Sequence, residues 1–150
     1  MQLETSRFGT IHVSKEQVLI FPEGLLGFES QKEYALLPAP NNQYFYWLQS
    51  TTVKELAFLV VDPFVFFPRY GVDLDKETLQ HLKISEQKQV AILTIVTIPK
   101  ADVKQATTNL VGPLVLNLKE RLGAQIVLEG NQYTTKHQLV AKKPAFQESR

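Results

Sequence analysis

The chain of 150 residues contains no cysteine, which excludes disulfides, cysteine-ligated zinc and a thiol nucleophile. It also lacks any apolar run that approaches the length of a membrane span. Its first residues do not show the basic and then apolar layout of a secretory signal peptide. These absences lead us to expect a cytoplasmic protein that makes no contact with the membrane.

Neither sign of charge dominates, because the chain has 16 lysines and arginines and 15 acidic residues, which give a net charge of +1. Such a chain has no overall attraction to nucleic acid or to anionic lipid. Residues 131–150, however, carry four basic side chains and one acidic one. We predict one domain over residues 1–140, followed by a flexible basic C-terminal tail over residues 141–150.

The sequence has no recognisable catalytic, metal-binding or phosphate-binding motif. Its three histidines, His12, His81 and His137, are far apart and fit no metal-ligand spacing. Asp62 precedes Pro63 without a second carboxylate or base at a useful spacing, so we expect it to cap a turn. We therefore predict a protein that is not an enzyme and that uses no cofactor and no metal.

Short β-branched and apolar segments, separated by turn signals, make up most of the sequence. The N-terminal residues alternate apolar and polar side chains around a turn, which predicts a hairpin. Residues 56–63 and 90–99 are the most apolar and predict central strands that end at prolines. Residues 114–117 are expected to pair with residues 124–130. The pattern predicts a mainly β fold, a small antiparallel β-barrel-like domain with one or two short helices.

Local signals predict one helix and one tight turn. Asp75 is placed to be a helix N-cap, because Leu74 and Leu79 then stand at the two positions of a hydrophobic staple. Glu77 falls in the first turn, which favours acidic residues, and the helix should run for two or three turns. Gly123 is expected to supply a positive φ between the last two predicted strands.

The segment 62–74, DPFVFFPRYGVDL, concentrates aromatic side chains beside acidic ones. In a strand, Phe64 and Phe66 would share one face while Phe67 points to the other. The two prolines lack an N–H group and favour an edge or a corner over a central strand. We predict that Phe67 belongs to the core and that Phe64, Phe66 and Tyr70 border a protein-binding surface.

Acidic side chains surround this aromatic segment, since residues 54–80 hold five acids and three bases. The ordinary interpretation is a solvated face. Beside an aromatic cluster, however, the acids would attract a basic protein, chiefly by speeding its encounter. The partner-binding candidates among them are Glu55, Asp62, Asp73, Asp75 and Glu77.

Binding to RNA is the alternative that the residues leave open, because small β-barrels often stack bases on exposed aromatic side chains. Such sites interleave aromatics with lysine and arginine. The aromatic segments 44–50 and 62–70 contain a single base, Arg69, and acids flank the second segment. Phosphate would be repelled as much as attracted, so we favour a protein partner and expect no direct contact with nucleic acid.

Seven stretches of the sequence, in order and in spacing, resemble the FliW family of flagellar assembly factors. They are IFPEGLLGFES (20–30), YALLP (34–38), FYWLQS (45–50), AFLVVDPFVFFPRY (57–70), AILTIVTIP (91–99), TNLVGPLVLN (108–117) and GAQIVL (123–128). The most specific parts are the Phe-Pro-x-Gly-x-x-Gly-Phe corner, the Asp-Pro that ends an apolar strand, and the Asn-Leu…Pro…Asn stretch.

The resemblance implies a small β-barrel-like fold and a binding function without catalysis, in part that of a chaperone. Members of the family bind flagellin, the filament subunit, in the cytoplasm. They also bind CsrA, a small basic dimer that represses translation of flagellin mRNA. A FliW protein free of flagellin inhibits CsrA, whereas accumulated flagellin occupies it and releases CsrA.

Particular residues of this sequence take their expected roles from the resemblance. Asn109 and Asn117 match the Asn-Leu…Pro…Asn stretch and are partner-binding candidates, although hydrogen bonding within turns is the role that we favour for both. Gly24 and Gly27 are expected to permit the corner, and Phe28 is expected to plug it.

Overall fold

The computed structural model describes residues 1–40, 42–130 and 132–139; the predicted C-terminal tail, 141–150, lies outside the described residues. The strands are β1 (Gln2–Thr5), β2 (Gly9–His12), β3 (Val18–Ile20), β4 (Glu33–Pro38), β5 (Phe45–Ser50), β6 (Ala57–Val61), β7 (Val90–Thr97), β8 (Thr107–Thr108), β9 (Leu114–Asn117), β10 (Leu122–Gln125) and β11 (His137–Gln138). The α-helices are α1 (Pro63–Phe66) and α2 (Lys76–His81), and short 3₁₀ helices span Lys15–Gln17, Gln87–Gln89, Pro99–Ala101 and Val103–Gln105. None of the helices in these ranges is long and apolar enough to cross a bilayer.

Seven strands close into a barrel in the order β7, β6, β5, β4, β3, β10 and β9, because β9 pairs back onto β7. Neighbouring strands are antiparallel except β3 and β10, which run parallel through the single pair Leu122↔Ile20. β8 and β11 extend the sheet beside β7, and β1 and β2 form the predicted N-terminal hairpin. The prediction of a mainly β, barrel-like fold with one or two short helices is confirmed.

Side chains that alternate along each strand fill the barrel interior. Tyr34, Leu48, Val60, Leu93 and Leu116 come from five different strands, and each is at most 5% exposed. Burial of one such side chain contributes roughly 1.5–3 kcal/mol, so this interior is a main source of stability. The two predicted central strands are β6 and β7, and they contribute two of these residues.

Two smaller apolar clusters pack on the outside of the barrel. The first joins Leu3 of the N-terminal hairpin to Leu37 of β4. The second joins Val61 at the end of β6 to Leu139, and Phe67 is partly buried against it. Phe67 therefore packs in an apolar cluster, as the sequence predicts.

The glycine-rich corner after β3 forms as predicted, but a different residue fills it. Gly24 and Gly27 both have positive φ, +68° and +87°, which non-glycine residues rarely adopt. The prediction that Phe28 plugs the corner is wrong, because this side chain is 40% exposed. Leu25 is only 1% exposed and packs in the barrel interior in its place.

Gly123 also differs from its prediction. It lies inside β10, and the positive φ at the preceding turn belongs to Arg121, whose φ is 57°. A Cβ added at Gly123 would stand 2.6 Å from two ring atoms of Phe21, which is fully buried. The missing side chain therefore makes room for an aromatic ring beside β10 and is not needed for the turn.

Candidate functional site

An open groove of about 960 Å³ lies at one end of the barrel, and we call it the barrel-end groove. Its inner wall consists of side chains from the barrel strands, and its outer wall consists of apolar side chains from the segment around α2. The inner wall includes Leu36, Tyr46 and Leu116, and the outer wall includes Val72, Leu74 and Leu79.

The groove exists because the chain leaves the barrel at the end of β6. The Oδ1 atom of Asp62 accepts a hydrogen bond from the N–H group of Phe64 at 3.0 Å and caps α1. Pro63 occupies the first helical position, where an N–H group is not needed. The prediction that Asp62 caps a turn is confirmed. The strand pattern for Phe64 and Phe66 is wrong, since the cap and the proline begin a helix.

Because of the helical turn, the three aromatic candidates lie in different environments. Phe64 is 40% exposed and lines the groove. Phe66 is half-buried, and its ring centroid is 6.0 Å from that of Phe45. Both rings pack against the apolar cluster that contains Val61 and Leu139. Tyr70 is 5% exposed, and its hydroxyl donates to the carbonyl of Leu110 at 2.7 Å. Of the three, only Phe64 offers its side chain to the groove.

Tyr34 and Tyr70 should respond in opposite ways to replacement by phenylalanine. The hydroxyl of Tyr34 is buried without a hydrogen-bond partner among the described residues, whereas that of Tyr70 is bonded. Tyr34→Phe should leave the free energy of unfolding unchanged or raise it, and Tyr70→Phe should lower it by about 1–2 kcal/mol. Urea denaturation of the two variants at pH 7 measures the difference.

The buried hydroxyl of Tyr34 also predicts how the stability of the fold changes in alkali. Burial raises the pKa of Tyr34 to about 12, while an unfolded tyrosine ionises near pH 10, roughly. The folded chain therefore holds this proton more tightly, and its stability should fall as the pH rises from about 10 to about 12. Tyr34→Phe should reduce this loss.

For the comparison at pH 7, equal losses of stability in Tyr34→Phe and Tyr70→Phe would mean that the hydroxyl of Tyr34 does have a hydrogen-bond partner.

α2 is a short element held at the barrel end. Asp75 is its N-cap, as predicted, because the N–H group of Thr78 donates to Oδ1 at 2.8 Å. Hydrogen bonds from Thr78 lower the pKa of this carboxyl group. The helix spans only Lys76–His81, shorter than predicted, and Leu82 after its end is buried. Leu79 lines the groove.

The charged side chains on the wall of the groove are both acidic. Asp62 lies beside Phe64, and Glu86 lies on the segment after α2. Glu86 is 3.7 Å from Lys88, and both side chains are largely exposed. An ion pair of this kind contributes little stability. Among the described residues, no lysine or arginine lines the groove, so its charged lining is acidic.

The other acidic candidates lie outside the groove. Asp73 and Asp75 line a second cleft of about 450 Å³ together with Glu129, and we call it the acidic cleft. Glu77 is exposed in the first turn of α2. Glu55 is exposed in the turn before β6, at the opposite end of this strand from the groove. The acids thus do not form one patch, and within the described ranges no histidine or acid cluster is arranged to hold a metal ion.

Known proteins are similar to this chain in both sequence and fold. The family model described as FliW protein matches residues 2–139. The chain belongs to the FliW family. The flagellar assembly factor FliW of Moorella thermoacetica is 46% identical over 149 residues, which cover 99% of this chain and 94% of the relative. The FliW of Bacillus subtilis is 37% identical over 137 residues, which cover 91% and 95% of the two chains.

A solved structure supports the same assignment at the level of the fold. The crystal structure of the flagellar assembly factor FliW superposes with a TM-score of 0.84 at 34% identity, covering 93% of this chain and 96% of the other. The chain is therefore a flagellar assembly factor of the FliW family, and the resemblance found in the sequence is confirmed.

The Asn-Leu…Pro…Asn stretch, by which the sequence resembles FliW, builds two turns. The Oδ1 atom of Asn109 accepts hydrogen bonds from the N–H groups of Val111 and Gly112, at 3.0 and 2.9 Å. Asn117 is fully buried, donates to the carbonyl of Leu82 at 2.7 Å, and closes the following turn through its Oδ1 atom. The turn role favoured from the sequence is confirmed for both, and Asn117 presents no side-chain surface to a partner.

Sequence patterns miss most of the groove in this FliW-family chain. Val72 and Ile84 lie on either side of α2, and Leu118 follows β9, yet all three line the same depression. Their one signal is an apolar side chain in a polar stretch. Such a signal does not say which distant segments meet, so the groove emerges only from the fold.

Proposed function

We propose that this FliW-family chain is a cytoplasmic binding protein without catalytic activity that binds flagellin and the translational regulator CsrA in alternation. Free of flagellin, it inhibits CsrA, so that flagellin mRNA is translated. Occupied by flagellin, it releases CsrA, and translation stops. The barrel-end groove is the part of the chain that docks a protein partner.

The observation that carries the proposal is the chemistry of the groove. It is open and lined largely by apolar side chains, and its two charged wall residues, Asp62 and Glu86, are acidic. An exposed apolar surface of this kind is typical of protein docking sites. The acidic residues complement a basic partner such as an RNA-binding regulator and would speed its encounter.

A partner switch requires that the two partners weaken each other's binding. If flagellin lowers the affinity of the chain for CsrA by some factor, CsrA must lower the affinity for flagellin by the same factor. This factor is finite and equal if the two proteins compete through a change of conformation, whereas each excludes the other completely if they share the groove.

Binding measurements with purified proteins test the proposal. The labelled chain should bind flagellin and CsrA separately, and each should reduce the apparent affinity of the chain for the other. In a filter-binding assay, CsrA should retain the flagellin mRNA leader, and the chain should abolish this retention while retaining no RNA itself. RNA retention by the chain alone would favour the RNA-binding alternative. Failure to bind either protein would contradict the proposal.

Charge reversal beside α2 should slow the association of the chain with CsrA. Asp73 and Glu77 are exposed and can be changed while the N-cap Asp75 stays in place. Because acids at this face steer a basic partner, Asp73→Lys with Glu77→Lys should lower the association rate about 3- to 10-fold at low salt. Stopped-flow kinetics should show this deficit shrinking as the ionic strength rises.

The control is Glu55→Lys at the opposite end of β6, which adds +2 to the net charge where the double variant adds +4. Per unit of added charge, its association rate should fall by much less. If the double variant associates as fast as the unmodified chain at low salt, the acids beside α2 do not steer CsrA.

A further inference from the structure

One edge of β7 has no neighbouring strand where it faces the barrel-end groove. β6 pairs with β7 only at Thr94 and Ile95, because the chain turns into α1 at Asp62. On its other side, β7 pairs with β9 from Val90 to Leu93. Within the described residues, this N-terminal half of β7 therefore has a strand on one side only.

The open edge carries main-chain groups that can accept a further strand. In an antiparallel pair, alternate residues direct their N–H and C=O groups to the neighbouring strand, and the residues between them direct these groups the other way. Leu118 donates its N–H group to the carbonyl of Gln89, so Ala91 and Leu93 face β9, while Val90 and Ile92 direct their groups toward the groove. The N–H group of Val90 donates to the carbonyl of Gln87. No backbone partner for the N–H group of Ile92 or for the carbonyls of Val90 and Ile92 occurs within the described ranges. All four residues line the groove.

The side chains around this edge define what an added strand would carry. One face of the strand would continue the inner face of the sheet and meet Leu36 and Tyr46, which line the barrel mouth. Because successive side chains of a strand point to opposite faces, apolar residues are needed at alternate positions. Asp62, where β6 ends, and Glu86 add negative charge to the wall, which favours a lysine or arginine in the ligand.

We infer that the groove-facing edge of β7, residues 90–93, accepts an extended segment of a partner protein as an additional strand. The segment has apolar side chains at alternate positions and a lysine or arginine where it passes Asp62. This inference rests on the proposed function, because it specifies how the groove holds one of its protein partners.

The open edge favours an extended ligand over a helical one. A helix satisfies its own backbone groups and would cover the edge of β7 without pairing its N–H and C=O groups, which is unfavourable once water is excluded. An added strand pairs these groups. The main-chain hydrogen bonds then supply affinity, and the sites for alternate side chains supply specificity.

Amide hydrogen exchange, followed by NMR on the complete ¹⁵N-labelled chain, tests the inference. In the free chain, the amide of Ile92 should exchange about tenfold or more faster than those of Ala91 and Leu93, which face β9. Saturation with purified flagellin or with purified CsrA should slow the Ile92 amide by about tenfold or more in one of the two complexes. The β9-facing pair, an internal control in the same strand, should change little.

The outcomes separate this inference from the function on which it rests. If either protein binds while the Ile92 amide stays fast in both complexes, strand addition is excluded and the proposed function stands. If neither protein binds, both fail. A slow Ile92 amide in the free chain at low concentration would also overturn the inference, because the edge would then already be covered by this chain or by a second copy.

The charge of the ligand has its own test. Asp62→Asn keeps an oxygen to cap α1 but removes the charge, so the affinity for the partner that protects β7 should fall about 2- to 5-fold at low salt. Glu55→Gln, which removes one charge at the opposite end of β6, should leave this affinity unchanged. If Asp62→Asn and the unmodified chain bind the partner with equal affinity, the inferred segment does not carry a lysine or arginine beside Asp62.

Discussion

Gly24→Ala should lower the free energy of unfolding by about 3 kcal/mol, one of the largest effects expected of any single substitution in the chain. Gly24 has a φ of +68°, and an added Cβ would stand 2.6 Å from backbone atoms of Glu29. Backbone atoms have no rotamer to change, so relief requires the corner itself to move. Leu25, the next residue, fills the barrel interior and would be displaced with it.

Gly27→Ala is the control, because both glycines have a positive φ but backbone atoms closely approach only Gly24. Gly27 has a φ of +87°, but an added Cβ would have nothing within 4 Å. Its replacement should therefore cost only the strain of the left-handed conformation, about 1–2 kcal/mol. Urea denaturation of both variants gives the comparison. Equal losses would show that the close approach to Glu29 does not determine the stability of the corner.

The sequence predicts well those features that depend on neighbouring residues. The N-terminal hairpin, the N-cap at Asp75 and the cap at Asp62 all follow from side chains within a few positions of one another, and the structure confirms each. The central strands β6 and β7 are also predictable, because runs rich in β-branched and apolar residues favour strands and proline ends them.

Prediction fails where distant segments decide the outcome. Tyr70 looks like a surface aromatic in the sequence, yet its hydroxyl bonds to Leu110, 40 positions away. The helical turn after Asp62 overrides an apparent strand pattern because Pro63 and the cap act together. The barrel-end groove depends on where β6 leaves β7, and no local pattern marks that point.

Asn117 shows what this long-range dependence implies for the groove. Its amide donates to the carbonyls of Leu82 and Lys83 at 2.7 and 3.1 Å, and its Oδ1 atom accepts from the N–H groups of Lys119 and Glu120 at 3.0 and 3.1 Å. One buried side chain in β9 therefore fixes the chain just after α2, next to the outer wall of the groove. The side chain of Asn117 is fully buried and acts by positioning this segment.

Asn117→Ala should lower the free energy of unfolding by about 3 kcal/mol, because it removes four hydrogen bonds, of which the one to the carbonyl of Leu82 is buried. Asn109→Ala is the matched control. That side chain is only half-buried and accepts two hydrogen bonds within its own turn, so its loss should cost about 1 kcal/mol. Urea denaturation of the two variants measures the difference.

A second measurement distinguishes local from general loss of stability. Ile84 donates its N–H group to the carbonyl of Leu79 at 2.9 Å, and this bond reports on the segment that Asn117 holds in place. In Asn117→Ala, the amide of Ile84 should exchange faster by a larger factor than the amides of the barrel interior, because the segment opens locally. Binding of the groove partner should weaken along with it. Uniform acceleration at all amides, with unchanged partner affinity, would contradict a positioning role for Asn117.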